Sequence, residues 1–228
     1  MREEKLRAIV LRTLPFKDKQ AILTLLSEEK GLFSMIVKGI APSRPQLIAC
    51  TSPLCEAEFI YRQGSSDLLL CKDVSLLDPH LGLRKKYRFI ELGSQFCKII
   101  VDTQLPGKPT QSLYALLSSF LKQIPHFPEA LHHLKGAFLL KVLKHEGMLS
   151  SSLTCNVCDS PQALHIHGSH HFCSTHTHPC ALHFTFKEWD TLCQLAHVSS
   201  FATLRQITFC PSLLTKIESH FHQSINMN

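Results

Sequence analysis

The sequence predicts an α+β chain: a small five-stranded barrel over residues 1–80, then an all-α region over 81–228 that carries an irregular loop at about 150–184. Three observations lead there. Short aliphatic or alternating runs separated by turn residues fill the first 80 positions. After Pro79 the apolar spacing changes to steps of three and four. From 148 to 184 periodicity lapses, while cysteines and histidines crowd together.

The strands follow in order. LRAIVLRT (6–13) is aliphatic and β-branched and ends before Pro15, and DKQAILTLLS (18–27) follows a short break. Glu28–Gly31 is a turn with Gly31 at positive φ, and LFSMIVK (32–38) stops at Gly39. The three prolines of APSRPQLIACTSP exclude a regular strand there. CEAEFIYR (55–62) puts Ala57, Phe59 and Tyr61 on one face and Glu56, Glu58 and Ile60 on the other, so the two glutamates read as a solvated edge. Gly64–Ser65–Ser66 closes a hairpin, and DLLLCKDVSLL (67–77) runs back. Five strands with one long interruption and no helical period between them suggest a closed or nearly closed barrel, not a parallel βαβ sheet.

Helices follow. Tyr87, Ile90, Phe96, Ile99 and Ile100 mark one over 84–104, ended by Pro106 and Pro109. Leu113, Leu116, Leu117, Phe120, Leu121 and Ile124 mark a second, with Thr110 as its N-cap. Leu131, Leu134, Phe138, Leu139, Val142 and Leu143 mark a third, with Gly147 as its C-cap and His132–His133 on its outer surface. Shorter helices at about 187–197 and 211–223 finish the chain, and Trp189 packs them.

Composition narrows the function classes. With 228 residues, 44% hydrophobic and 18% charged, the chain is a folded globule, not a disordered one. No apolar run is long enough for a membrane span, and the N-terminus lacks the apolar core of a signal peptide, so the reading is cytoplasmic. Ten cysteines in that setting do not read as a disulfide framework. The net charge of +6 is uneven: residues 83–150 hold ten basic and four acidic side chains, including Arg84, Lys85, Lys86 and Arg88. A basic segment of this kind suits polyanions, though a solvated helix face would look the same.

The strongest chemical signal lies at 155–183. Cys155-Asn-Val-Cys158 is a CxxC knuckle, and Cys173-Ser-Thr-His176 follows 14 residues later. Two residues between ligands let the backbone turn so that both side chains point at one ion, and the loop brings the second pair from the other side. The expected cofactor is one structural Zn2+ held by Cys155, Cys158, Cys173 and His176. Cys180 is the next choice for the fourth ligand, and His178, His170, His171 and His183 lie close by. The remaining cysteines (50, 55, 71, 97, 193, 210) read as core residues. Catalytic zinc would need an open position and a general base, but Asp159 is the sole carboxylate between Glu146 and Glu188, and no HExxH or deaminase HxE is present. No P-loop, GxGxxG or GxSxG occurs either.

Barrel, helical middle, four-ligand knuckle and short helices, in that order, resemble the bacterial recombination mediator family RecO. AIVLRTLPFKDKQAILTLLSEEKGLFSMIVKGI (8–40) looks like the family's first three OB strands, and AFLLKVLKHEGMLSSSLTCNVC (137–158) is similar to its helix, glycine turn and first zinc knuckle. The likeness covers essentially the whole chain. It departs at Cys173-x-x-His176, where the family usually has CxxC; imidazole replaces thiolate acceptably in zinc sites.

The resemblance implies an OB-fold barrel at 1–80 and a helical domain at 81–228. It also implies a non-enzymatic DNA repair factor that binds single- and double-stranded DNA, anneals complementary strands, acts with RecR, and helps RecA replace single-strand-binding protein. An OB groove tracks a strand with cations and stacks bases on aromatics. The phosphate-contact candidates are Arg12, Lys17, Lys19, Lys38, Arg44, Arg84, Lys85, Lys86 and Arg88, with Phe16, Phe33 and Tyr61 for stacking. The alternatives are a zinc-ribbon and OB protein–protein adaptor without direct DNA binding, and a zinc hydrolase or deaminase.

Overall fold

The structure, a computed structural model, describes residues 3–63, 68–150 and 152–226. The hairpin expected at Gly64–Ser66 lies outside them. The chain divides into two compact units, Met1–Pro125 and His126–Asn228.

The first unit is built on strands β1 (Glu4–Pro15), β2 (Gln20–Ser27), β3 (Gly31–Lys38), β4 (Glu56–Gln63) and β5 (Leu69–Asp78). They close into a barrel in the order β1-β2-β3-β5-β4. Every pairing is antiparallel except β3 with β5, where Met35 and Ile36 lie beside Leu69 and Leu70. Closure depends on β1. Its first half, Glu4–Ile9, pairs with β4, its second half with β2, and the register shifts between Val10 and Arg12. The extra residue bends the strand around the barrel corner. Alternation then fills the interior: Ala57, Phe59 and Tyr61 all point inward, joining Leu6, Ala8, Leu23, Leu25, Met35 and Val37. The proline-rich interruption becomes helix α1 (Pro45–Cys50), which starts on a proline at its first position.

Helices complete this unit. After a 3₁₀ turn at Leu81–Lys85 come α2 (Tyr87–Thr103) and α3 (Gln111–Gln123). Their linker is stitched to the β2–β3 turn: the Gly107 amide donates to the Leu32 carbonyl at 2.9 Å and the Thr110 amide to Glu28 at 3.2 Å. Gly31 sits there at φ +62°, as expected. A Cβ on it would lie 1.8 Å from the Lys108 carbonyl oxygen, so this crossing requires glycine twice over. Glu56 adds a second staple, which corrects its reading as part of a solvated edge. Its carboxylate accepts from Tyr114 Oη at 2.8 Å and Ser118 Oγ at 3.3 Å, with Lys122 Nζ at 3.6 Å. Residues facing outward from the barrel meet α3 there, not water. Thr110 occupies the N-cap position of α3, but its side chain makes no capping bond. Tyr87 is also corrected: α2 buries Phe89, Leu92, Phe96 and Ile100, and Tyr87 faces the other way, 79% exposed.

In the second unit α4 (Leu131–His145) is buried nearly all round, ending at Gly147 with φ +71°. There the Met148 amide donates to the Leu143 carbonyl at 2.8 Å. Because this helix has almost no solvent side, His133 is buried, its Nε2 2.7 Å from the Ile207 carbonyl, and the surface reading of that residue fails. A small sheet of β6 (His165–His167), β7 (His170–Phe172) and β8 (Leu182–His183) runs in the order β7-β6-β8. Helices α5 (Phe186–His197), α6 (Phe201–Leu204) and α7 (Pro211–Asn226) follow. Trp189 is buried against Phe184 and His171, with ring centroids 6.0 and 5.7 Å away. Among the described residues no helix is long and apolar enough to cross a membrane.

Candidate metal centre and nucleic-acid surface

The knuckle is shaped by backbone hydrogen bonds before any ion is considered. The Asp159 amide donates to the Cys155 carbonyl at 2.9 Å, with Asp159 at φ +57°, and the Cys155 amide donates to Ser160 at 2.8 Å. The His176 amide donates to Cys173 at 3.1 Å. The two halves are tied together. Asn156 N–H reaches the His171 carbonyl at 2.8 Å, and His171 N–H returns to Asn156 Oδ1 at 2.6 Å.

This frame brings Cys155, Cys158, Cys173 and His176 together, their ligand atoms all within 4.8 Å of one another. Cys158 Sγ lies 3.8 Å from Cys173 Sγ, and His176 Nδ1 lies 3.3 and 3.7 Å from Cys173 and Cys155 Sγ. Thiolates about 2.3 Å from a tetrahedral zinc stand about 3.8 Å apart, so the four donors fit that ion. The charge pattern agrees. Burial would raise Cys155, but the backbone N–H groups of Cys173, Val157 and Cys158, together with the His176 ring, outweigh it and hold the thiol down to about 6. The sulfurs of Cys155 and Cys173 in turn raise His176. Cys180 and His178 are exposed and outside the group; the Cys180 amide donates to His178 Nδ1, and His178 stacks on His167 at 4.0 Å.

The cation candidates are all exposed. Arg12, Lys17, Lys19, Lys38, Arg44, Arg84, Lys85 and Lys86 make no ion pair with a described carboxylate, whereas Lys5, Lys30, Lys98 and Lys122 of the same unit do. Arg88 and Lys86 lie over the Phe89 ring at 5.9 and 5.6 Å. Lys38 and Arg44 converge on a groove of about 520 Å³ lined also by Ser43, Lys72 and Asp73. Lys17 and Lys19 border a second, of about 350 Å³, beside Ile40, Ile48 and Pro53. Sequence reasoning missed Lys72. Only the parallel β3–β5 pairing carries it to this groove, and no local pattern signals that pairing. Of the aromatics, Phe16 is half exposed with Lys17 Nζ 5.4 Å from its ring centre, Phe33 is half-buried, and Tyr61 is buried in the barrel with its hydroxyl on Glu4.

A closed five-stranded barrel of OB type whose grooves carry cations paired with no described carboxylate, followed by helices and a Cys3His cluster, defines the class: an OB-barrel protein with a metal-knuckle extension. Known proteins make it more particular. Residues 1–80 match the family described as Recombination protein O N terminal. The chain is 26% identical over 220 residues to the DNA repair protein RecO of Chlamydia muridarum, covering 95% of this chain and 93% of that protein. It is 24% identical over 205 residues to the protein of the same name from Chlamydia pneumoniae, covering 89% and 81%. For Clostridium kluyveri the figures are 25% over 199 residues, 86% and 77%. The likeness to RecO suggested by the sequence is thus borne out: residues 1–80 match the family's N-terminal model, and the chain is similar to RecO proteins over most of its length.

Proposed function

We propose that the chain is a DNA repair and recombination mediator that binds single- and double-stranded DNA, anneals complementary strands and, with RecR, assists RecA to replace single-strand-binding protein on gapped DNA in the cytoplasm. Residues 1–80 supply the DNA-binding barrel, and residues 81–228 its helical and metal-bearing extension. The observation that carries this reading is the set of cations that pair with no described carboxylate, with Lys38, Arg44 and Lys72 converging on one groove. Unpaired cations keep their full charge for phosphate, and each phosphate neutralised releases a counterion. Two strands held on such a surface repel each other less, which is the physical basis of annealing. Asp73 in the same groove lowers its field and favours contacts through Lys38 and Arg44 over contacts deep beside β5.

One Zn2+ on Cys155, Cys158, Cys173 and His176 would brace the irregular segment. Four protein donors leave no open coordination position, which suits a structural ion and a non-enzymatic protein. The test joins metal analysis of the purified protein to a strand-annealing assay over a salt series, with K38E/R44E alongside. One bound zinc, annealing that falls steeply with salt, and its loss in the folded variant are expected. DNA binding unchanged in K38E/R44E, with partner binding lost, would favour the protein–protein adaptor instead.

A further inference from the structure

Among the described residues the most exposed large apolar side chain, Tyr87 at 79%, lies inside the sequence's densest run of positive charge. Helix phase fixes this position. The buried face of α2 runs through Phe89, Leu92, Phe96 and Ile100, and Tyr87 shares the opposite face with Glu91, Ser94 and Lys98, all exposed. No rotamer can bring the ring into the core from there. Around it stand Arg84 and Lys85 from the preceding 3₁₀ turn and Lys86 at the N-cap, none paired with a described carboxylate, with Leu81 65% exposed nearby in the chain. The charged ends of Lys86 and Arg88, one on each side of Tyr87 in the chain, lie 5.6 and 5.9 Å from the Phe89 ring centre.

An apolar ring kept in water between cations matches a ligand that has flat faces and anionic links in alternation. We propose that Tyr87 is a base-stacking residue: a nucleobase of a single strand packs on its ring while Arg84, Lys85 and Lys86 hold the flanking phosphates. The proposal rests on the DNA-binding reading above and extends the path from the barrel grooves to the start of α2. A protein anchor would also use an exposed tyrosine. Cations outnumber carboxylates in this stretch: of the acids on the ring's own face Glu91 is one turn away and Asp102, further along the helix, is taken up by Lys98, and that favours the polyanion.

The test uses the full chain, an oligothymidylate and an abasic strand of equal length. Y87A should weaken oligothymidylate binding about tenfold, the size of one stacked base. It should leave abasic-strand affinity, salt slope and melting temperature unchanged, and Y87F should restore binding. K85E/K86E should weaken both strands and flatten the salt slope. Y87A equal to wild type on oligothymidylate, or equally impaired on both strands, would overturn the stacking role, as would a loss confined to protein partners. Wild-type protein that binds neither strand would overturn the DNA reading itself, an outcome plainly different from a silent Y87A.

Discussion

Glu188 is a carboxylate taken almost wholly out of water and kept charged. Burial alone would raise its pKa, but Lys216 Nζ at 2.6 Å, the Thr185 amide at 2.8 Å and Ser212 Oγ at 2.8 Å outweigh burial and hold it at about 2. A carboxyl depressed on folding contributes stability that is complete above its unfolded value near 4.5 and is lost as pH falls toward 2. E188Q should therefore cost about 2 kcal/mol at pH 7, because the charge-assisted bond to Lys216 is lost while the part-exposed ammonium rehydrates. It should also flatten the dependence of the urea midpoint on pH between 4.5 and 2; a variant as stable as wild type with the same acid slope would refute the role. Thr185 and Glu188 form a reciprocal capping box at the start of α5, a local T-F-K-E signature that the expected start at about 187 passed over. His133 and Tyr87 were not legible. Spacing tells which residues of a helix are apolar, but whether the helix has a solvent side depends on neighbours distant in sequence, as α4, α5 and α7 show.

At the scale of elements, the metal knuckle and the barrel were readable to different degrees for one reason. Knuckle ligands sit three positions apart, so Cys155–Cys158 and Cys173–His176 announce themselves locally. The barrel's closing β3–β5 pairing joins residues more than 30 positions apart, and the three-residue strands β6 and β7 are too short for alternation to mark them. The Glu56 staple onto α3 belongs with the unreadable features, since its partners lie about 60 residues away. These differences bear on what a metal ion would hold. Few apolar side chains anchor residues 155–183, whereas the barrel has its own continuous core. Chelation should remove hydrogen-exchange protection from β6, β7 and β8 and leave amides of β1–β5 protected. H176C should keep the protection and H176A lose it without any chelator. Protection of the small sheet that survives chelation would mean that packing on Trp189 and Phe184, not an ion, carries that segment.

For the whole molecule the decisive quantity is where charge resides. Residues 1–125 hold 18 basic and 12 acidic side chains, and residues 126–228 hold six of each, so the entire excess of +6 belongs to the unit with the barrel. In the second unit several cations are already engaged: Lys135 with Glu218, Lys216 with Glu188, and Lys141 with the Val198 carbonyl at 2.7 Å. If phosphate binding depended on net charge alone, four units of charge removed anywhere would act alike. If it depends on local contacts, location matters, and the salt slope reports which. Each single-strand phosphate contact adds roughly 0.7 to the slope of log affinity against log salt. K38E/R44E, two reversals at the barrel groove, should lower the slope by about 1.4 and weaken binding at every salt concentration. K144E/K187E, two reversals in the neutral unit, should leave the slope within experimental error. Equal losses from the two variants would show a diffuse field in place of a track, and the groove at Lys38, Arg44 and Lys72 would lose its claim to be the place where the strand lies.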